Sequence, residues 1–277
     1  MNKLATGLVA LIALGTAGDA MAEGRRTNGL EKDVAVRHRR LLVKGRFELA
    51  PLFESTMNAD FRHIIGGGLK LEYHLSDMFS VGAVGVAATA INTKLVDRIG
   101  PTLPDSPDPM MPREPTKDQF LQRLNSIPFH GAAYVSITPW YGKLAAFSQA
   151  YVAFDFYFQA GVALAVLKSD CPTNVCTDDT QGVSMDGNPN NDSPLNAGFR
   201  AGLYLGGGIH VFLNDFIALD LTVRDYAFSD NPSGADFNAD SFVGDNDVLG
   251  DDNRFIHHLF FGVGLSIMFP TAVKRTP

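Results

Sequence analysis

Residues 41–55 separate into two faces with almost no mixing. Val43, Phe47, Leu49 and Phe53 take the odd positions, and Lys44, Arg46, Glu48 and Glu54 the even ones. Successive strand side chains point to opposite faces, so this segment predicts a strand with one apolar and one charged side. The division recurs. Residues 61–75 set Ile65, Leu69, Leu71 and Tyr73 against Arg62, Lys70, Glu72 and His74. Residues 79–92 alternate small and aliphatic positions after a tight turn at Ser76-Asp77-Met78. A fourth strand, about 129–141, alternates least clearly. A compact Gly142-Lys143 connection leads towards the fifth, where Phe154, Phe156, Phe158 and Val162 oppose Asp155, Tyr157, Gln159 and Gly161.

Residues 197–213 place Leu203, Leu205, Ile209 and Val211 opposite Arg200, Tyr204 and His210. After a turn at Asn214-Asp215, residues 216–226 set Ile217, Leu219, Leu221 and Val223 against Asp220, Thr222 and Arg224. The eighth strand, 255–269, carries Leu259, Phe261, Val263, Leu265, Ile267 and Phe269 on one face. Eight two-faced strands predict an all-β, antiparallel, up-and-down barrel over residues 41–269.

Alternation alone does not say which face is inside, because a soluble barrel hides its apolar side and a membrane barrel turns it outward. Connection lengths decide. Links after strands two, four and six are short, whereas those after three, five and seven run to roughly 25 to 35 residues, the pattern of short periplasmic turns and long extracellular loops. The link after strand one departs, being short on the long-loop side. Aromatic positions agree. Tyr73, Phe79, Trp140, Tyr141, Phe154, Phe216 and Phe269 are expected at the short-turn rim, and Phe53, Phe61, Phe129, Phe199, Tyr226 and Phe255 at the other. Aromatic girdles form where rings sit between lipid and water.

Export agrees with that orientation. Lys3, the apolar run 4–14 and Ala20-Met21-Ala22 match a cleaved signal peptide, so residues 1–22 are expected to be removed. No cysteine follows that site, which argues against a lipoprotein anchor. No later segment approaches about 18 uninterrupted apolar residues, so any crossing of a bilayer uses strands. Residues 23–40 are expected as a periplasmic segment, with basic Arg37-His38-Arg39-Arg40 beside the membrane, and residues 270–277 as a short periplasmic tail. Net charge of −7 disfavours nucleic acid as a partner. The two cysteines, Cys171 and Cys176, are expected to form a local disulfide in an oxidising compartment.

The terminal strand Phe261-Gly-Val-Gly-Leu-Ser-Ile-Met-Phe269 resembles the C-terminal assembly signal of bacterial outer-membrane barrels, with residues 270–277 extending beyond the usual final aromatic. Gly45-Arg-Phe-Glu-Leu-Ala-Pro51, Tyr73-His-Leu-Ser-Asp77, Tyr141-Gly-Lys143 and Phe154-Asp-Phe-Tyr157 are similar to an outer-membrane β-barrel family prominent in myxobacteria and their relatives, small barrels of the OmpA/OmpX kind. The resemblance implies a porin-like fold in the bacterial outer membrane. It implies lipid and lipopolysaccharide as neighbours, and envelope or gliding-machinery proteins as partners of some members. It implies no catalytic residues.

An eight-stranded barrel is just wide enough for side chains to fill. Lys44, Arg46, Glu48, Arg62, Lys70, Glu72, Asp155, Arg200, Asp220 and Arg224 are expected to point inward and plug the lumen with paired charges, since burying one alone is costly. The expected role is structural or interactive, in a monomeric barrel without cofactor or enzymatic activity. Two alternatives stand beside it, a narrow channel and a lipid-modifying enzyme. The enzyme would draw on His63, His130, His257 and His258 near the outer rim, with Ser55 and Glu54. Adjacent His257 and His258 point to opposite faces and make a poor metal pair.

Acidic loops supply weak calcium candidates. Asp236, Asn238 and Asp240 place oxygen ligands at alternate positions, with Asp247 at the last, but Ser241 stands where the sharp turn needs glycine and Asp247 where a bidentate Glu is wanted. Asp186-Gly-Asn188-Pro-Asn190-Asn-Asp192 is similarly incomplete, and a hydrated loop is the simpler reading of both. In the first long loop, Thr116-Lys-Asp-Gln119 resembles a capping box before Phe120, Leu121 and Leu124, predicting a short amphipathic helix as lid or partner site.

Overall fold

A computed structural model describes residues 41–105, 117–146, 150–169, 197–234, 253–271 and 274–275. In chain order the strands are β1 (Leu41–Leu42), β2 (Phe47–Thr56), β3 (Arg62–His74), β4 (Phe79–Asn92), β5 (Asn125–Ala146), β6 (Ala150–Ser169), β7 (Gly198–Phe212), β8 (Ile217–Asp230), β9 (Arg254–Phe269) and β10 (Lys274–Arg275). Strands β2 to β9 pair with their sequence neighbours, all antiparallel. β9 closes on β2, with Phe47 opposite Phe269 and Thr56 opposite Phe260. The protein is a closed, eight-stranded, up-and-down barrel.

Alternation builds the two surfaces. On β2 the side chains of Glu48, Ala50, Leu52 and Glu54 are buried, while Phe47 is 61% and Phe53 54% exposed. Leu71, Val135, Phe158, Leu203 and Leu205 are likewise exposed on their strands. The barrel therefore wears its apolar residues outside and its charged residues inside. An apolar belt of this extent is far beyond the patches that soluble monomers leave in water. No helix among the described residues is long and apolar enough to span a bilayer.

Four local features differ from the sequence expectation. The first segment is not one strand. The N–H groups of Val43 and Lys44 donate to Asp77 Oδ1 of the neighbouring turn, at 3.0 and 3.1 Å, and Gly45 takes φ +75°. That left-handed conformation suits glycine and ends β1 before β2 begins. The C-terminal segment, expected as a short tail, adds a two-residue strand, Lys274 and Arg275 pairing with Leu42 and Leu41.

The Gly142-Lys143 connection is replaced by ladder, Gly142 lying opposite Phe154 and Lys143 opposite Ala153. Both residues fit an extended strand, so β5 runs on to Ala146. Finally, a helix the sequence reading missed, α1 (Lys94–Ile99), follows β4. The amphipathic pattern after residue 116 forms α2 (Lys117–Arg123), and its Phe120 packs with Leu124, Val96, Phe61 and Ile99 beside the long-loop end. Residues 1–40, Cys171, Cys176, Thr116, the 186–192 segment and the calcium candidates Asp236, Asn238, Asp240 and Asp247 lie outside the described residues.

Candidate functional site in the lumen and at its outer rim

The half of the lumen nearer the short turns is a network of buried ions. Lys70 Nζ stands 2.7 Å from Glu48 Oε1 and 2.7 Å from Asp220 Oδ2, with all three side chains fully buried. Its ammonium also faces the Tyr157 ring, 5.2 Å from the centroid. Tyr157 donates its hydroxyl to Asp220 Oδ1 and stacks on His210, whose Nδ1 is 2.9 Å from Asp155 Oδ1. Glu48 accepts from Ser266 at 2.6 Å and lies 3.1 Å from His74 Nε2. Glu72 accepts from Ser80, from Tyr134 at 3.0 Å and from Gln159 at 3.4 Å, and Tyr204 donates to Gln159 Oε1 at 2.8 Å.

Glycines make room for these tyrosines. A Cβ on Gly208 would sit 2.5 Å from the Tyr157 hydroxyl and 2.5 Å from the Leu221 carbonyl, and one on Gly82 2.8 Å from the Tyr134 hydroxyl. The tyrosines lie across the lumen because the neighbouring inward positions carry no side chain.

The long-loop half is packed differently. Glu54 meets Arg224 Nη1 at 2.8 Å and His130 at closer range, and above them Phe260 stacks on His130 at 4.6 Å beside Tyr226 and Phe228. Ile64, Val86, Ile127 and Leu167 complete an aliphatic and aromatic layer. Beyond it a cavity of about 220 Å³ opens among Arg62, Asn125, Asp230, His257, His258 and Phe61. At the opposite mouth, Arg46 donates to the carbonyls of Pro270, Asp215 and Met268 at 3.2, 3.1 and 3.4 Å, over a cluster of Val43, Phe212, Ala218 and Met268.

Two buried groups, Glu48 with His210 and Asp220 and Glu48 with Glu72 and His74, bring ligand-type atoms within 4.8 Å. They do not fit a metal. The Lys70 ammonium already bridges Glu48 and Asp220, and the oxygens of Glu72 accept from Ser80, Tyr134 and Gln159.

Of the ten polar residues expected inside, Glu48, Lys70, Glu72, Asp155 and Asp220 meet in one network, Arg224 sits above it and Arg46 below. Lys44 is a correction, being exposed in the turn that Gly45 makes. Arg62 and Arg200 keep inward parity near the long-loop end but are only half-buried, Arg200 donating to its own neighbour's carbonyl at Phe199. Sequence reasoning left Glu54, His74, His130 and His210 out of the lumen set, although all occupy the even, polar parity of their strands.

Among the girdle aromatics, Phe53, Phe79, Trp140, Phe255 and Phe269 are exposed on the barrel exterior. Tyr73 is half-buried against Phe47, and Phe216 is half-buried at the turn before β8. Tyr141 is a correction. A register shift between Ile137 and Trp140 pairs Trp140 with outward Phe156 and Tyr141 with inward Asp155, so Tyr141 leaves the outer face. Tyr226, expected at the outer rim, is fully buried in the lumen. The rim group divides too. Glu54 and His130 pair inside, His257 Nδ1 reaches Asp225 Oδ2 at 2.6 Å outside, His258 turns inward to Asp230, and Ser55 Oγ stands 2.8 Å from His63 Nε2.

No protein-family model and no curated protein matches the chain. Solved structures do. The chain is similar to the outer membrane protein OprG of Pseudomonas aeruginosa, at 13% identity and TM-score 0.42, over 82% of this chain and 96% of that one. The N-terminal β-barrel domain of OprF from the same organism gives 7% identity and TM-score 0.39, over 82% and 98%. Ail, the attachment invasion locus protein of Yersinia pestis, gives 9% and 0.34, over 82% and 99%. At these identities and scores the likeness extends to the barrel and no further.

Proposed function

We propose that this chain is an outer-membrane β-barrel with a structural or interaction role in the cell envelope, its lumen closed by its own side chains. The observation that carries the reading is the combination of an apolar exterior with the Glu48–Lys70–Asp220 crosslink across the interior. Lipid satisfies no backbone hydrogen bond, and a closed barrel is the sheet that needs none from it. The long-loop end faces outward, the β1–β10 pair lies in the periplasm, and residues 1–22 are removed on export. The motifs at Gly45–Pro51 and Tyr73–Asp77 support membership of the myxobacterial barrel family.

Crosslinking in native membranes followed by pull-down tests the role. Recovery of envelope proteins with the barrel is the expected result. Well-resolved conductance steps from purified protein in planar bilayers would instead make it a channel. The enzymatic reading is favoured by one contact, between Ser55 and His63.

A further inference from the structure

The outward face is broken by polar groups at the long-loop rim of β2 and β3. Ser55 Oγ lies 2.8 Å from His63 Nε2, and Thr56 Oγ1 lies 3.1 Å from His63 Nδ1. Ser55 has the outward parity of Phe53, and His63 that of Leu69, both of them exposed apolar positions. The ladder sets Ser55 opposite Ile65 on one side and Phe261 on the other, and His63 opposite Ile91. The pair is framed by apolar side chains on the surface that meets lipid.

The surrounding hydrogen bonds accommodate an imidazole with its proton on Nδ1. Thr56 Oγ1 accepts from the Ile64 N–H at 3.0 Å, and its hydroxyl reaches the Ile64 carbonyl at 3.5 Å. A hydroxyl has one proton and two acceptor sites, so with its proton on that carbonyl its remaining site can receive His63 Nδ1–H, whereas a Thr56 proton turned to Nδ1 would put the imidazole proton on Nε2. The dyad uses the first arrangement, in which Nε2 is an unprotonated lone pair facing the Ser55 hydroxyl. A hydroxyl, a base within hydrogen-bond reach and a group that orients the base are the elements of an activated nucleophile.

We propose that Ser55 and His63 form an esterase dyad acting on acyl esters of outer-leaflet lipids, an inference that rests on the membrane reading above. Depth selects the substrate. Ser55 is one outward position beyond Phe53, and with Phe129, Phe199 and Phe255 this residue forms the aromatic rim at the long-loop end. Aromatic belts sit at headgroup level, where ester bonds join acyl chains to polar headgroups. Ser55 Oγ bonds to the acyl carbon while its proton passes to His63 Nε2. The ester C–O bond then breaks, and the leaving alkoxide takes that proton. Water adds to the acyl-enzyme, its proton again received by His63, and departure of the fatty acid returns a proton to Ser55. Thr56 is a positioning residue, in the place where triads hold a carboxylate. A neutral hydroxyl stabilises imidazolium less than a carboxylate, and a serine protease whose Asp becomes the isosteric amide, which leaves the imidazole in the wrong tautomer, loses about 10⁴ in kcat. Turnover is accordingly slow, and covalent capture is the sharper readout.

The experiment uses the full chain refolded into phosphatidylethanolamine vesicles containing a fluorescent acyl-labelled phospholipid, with a fluorophosphonate probe added in parallel. Insertion is monitored by the heat-dependent shift of folded barrels in gel migration. The expected result is probe adduct on Ser55 by mass spectrometry, release of labelled fatty acid, and loss of both in Ser55→Ala. His63→Gln should lower labelling more than tenfold. His63→Ala should recover part of it with added imidazole, which a purely structural role would not produce. Thr56→Ser should retain labelling and Thr56→Val lose most of it. An inserted barrel with no adduct on Ser55, or equal fatty-acid release from Ser55→Ala, would overturn the dyad and leave the membrane reading standing. Failure to insert would overturn both.

Discussion

The two halves of the lumen fill the same diameter by different physics. Towards the short turns, Lys70 is enclosed by Glu48 and Asp220 and backed by Tyr157, so each group holds its place through a specific partner. Towards the long loops, Phe260, Tyr226, Phe228 and Ile127 fill space by shape, around the Glu54–Arg224 ion pair. Ionic filling tolerates no missing member, because each partner left behind is a buried charge. Apolar filling tolerates exchange of similar volumes. The first half fixes which strands face each other across the lumen, and the second adds bulk below the outer cavity.

Lys70→Met tests that contrast most severely. It leaves Glu48 and Asp220 side by side without their cation, and should cost about 3–5 kcal/mol in reversible urea unfolding from lipid. Gly208→Ala comes next, at roughly 1–3 kcal/mol, because the new methyl meets the Tyr157 hydroxyl and the Leu221 carbonyl, and the latter cannot move aside cheaply. Phe260→Leu should cost about 1 kcal/mol by the same measurement, since the aromatic layer repacks around a similar volume. Lys44→Ala should stay within about 0.5 kcal/mol, the range of exposed substitutions. A Lys44 effect as large as that of Lys70 would return it to the network, and a Phe260 effect above that of Lys70 would reverse the comparison.

The barrel was legible because each strand has one lipid-type face and one polar face, and a period of two survives even in short segments. Phe79–Asn92 follows the expected boundaries for that reason. Legibility failed where a single residue changes the phase. The register shift at Ile137 moves Tyr141 inward, and the positive φ of Gly45 removes Lys44 from the strand. Glu54 had the polar parity of its strand and His130 lay on the strand that alternates least clearly, and their positions near strand ends suggested a rim. Lys70 and Asp220 were each expected inside. Their contact spans 150 residues of sequence and depends on how closure staggers the strands, which no local pattern encodes. The Ser55–His63 contact likewise needs the β2–β3 register, since neither residue sits in a nucleophile motif.

The central claim is that lipid touches the odd-numbered residues of β2 and their counterparts while aromatic residues inside the lumen stay dry of it. A lipid-soluble photoprobe, activated in vesicles containing the folded chain and mapped by mass spectrometry, separates these two apolar populations. Labelling of Phe47, Leu203 and Leu205 with protection of Tyr157 and Phe260 is the predicted pattern. Protection of Phe47 and Leu205, in a chain that stays dissolved without detergent, would contradict it.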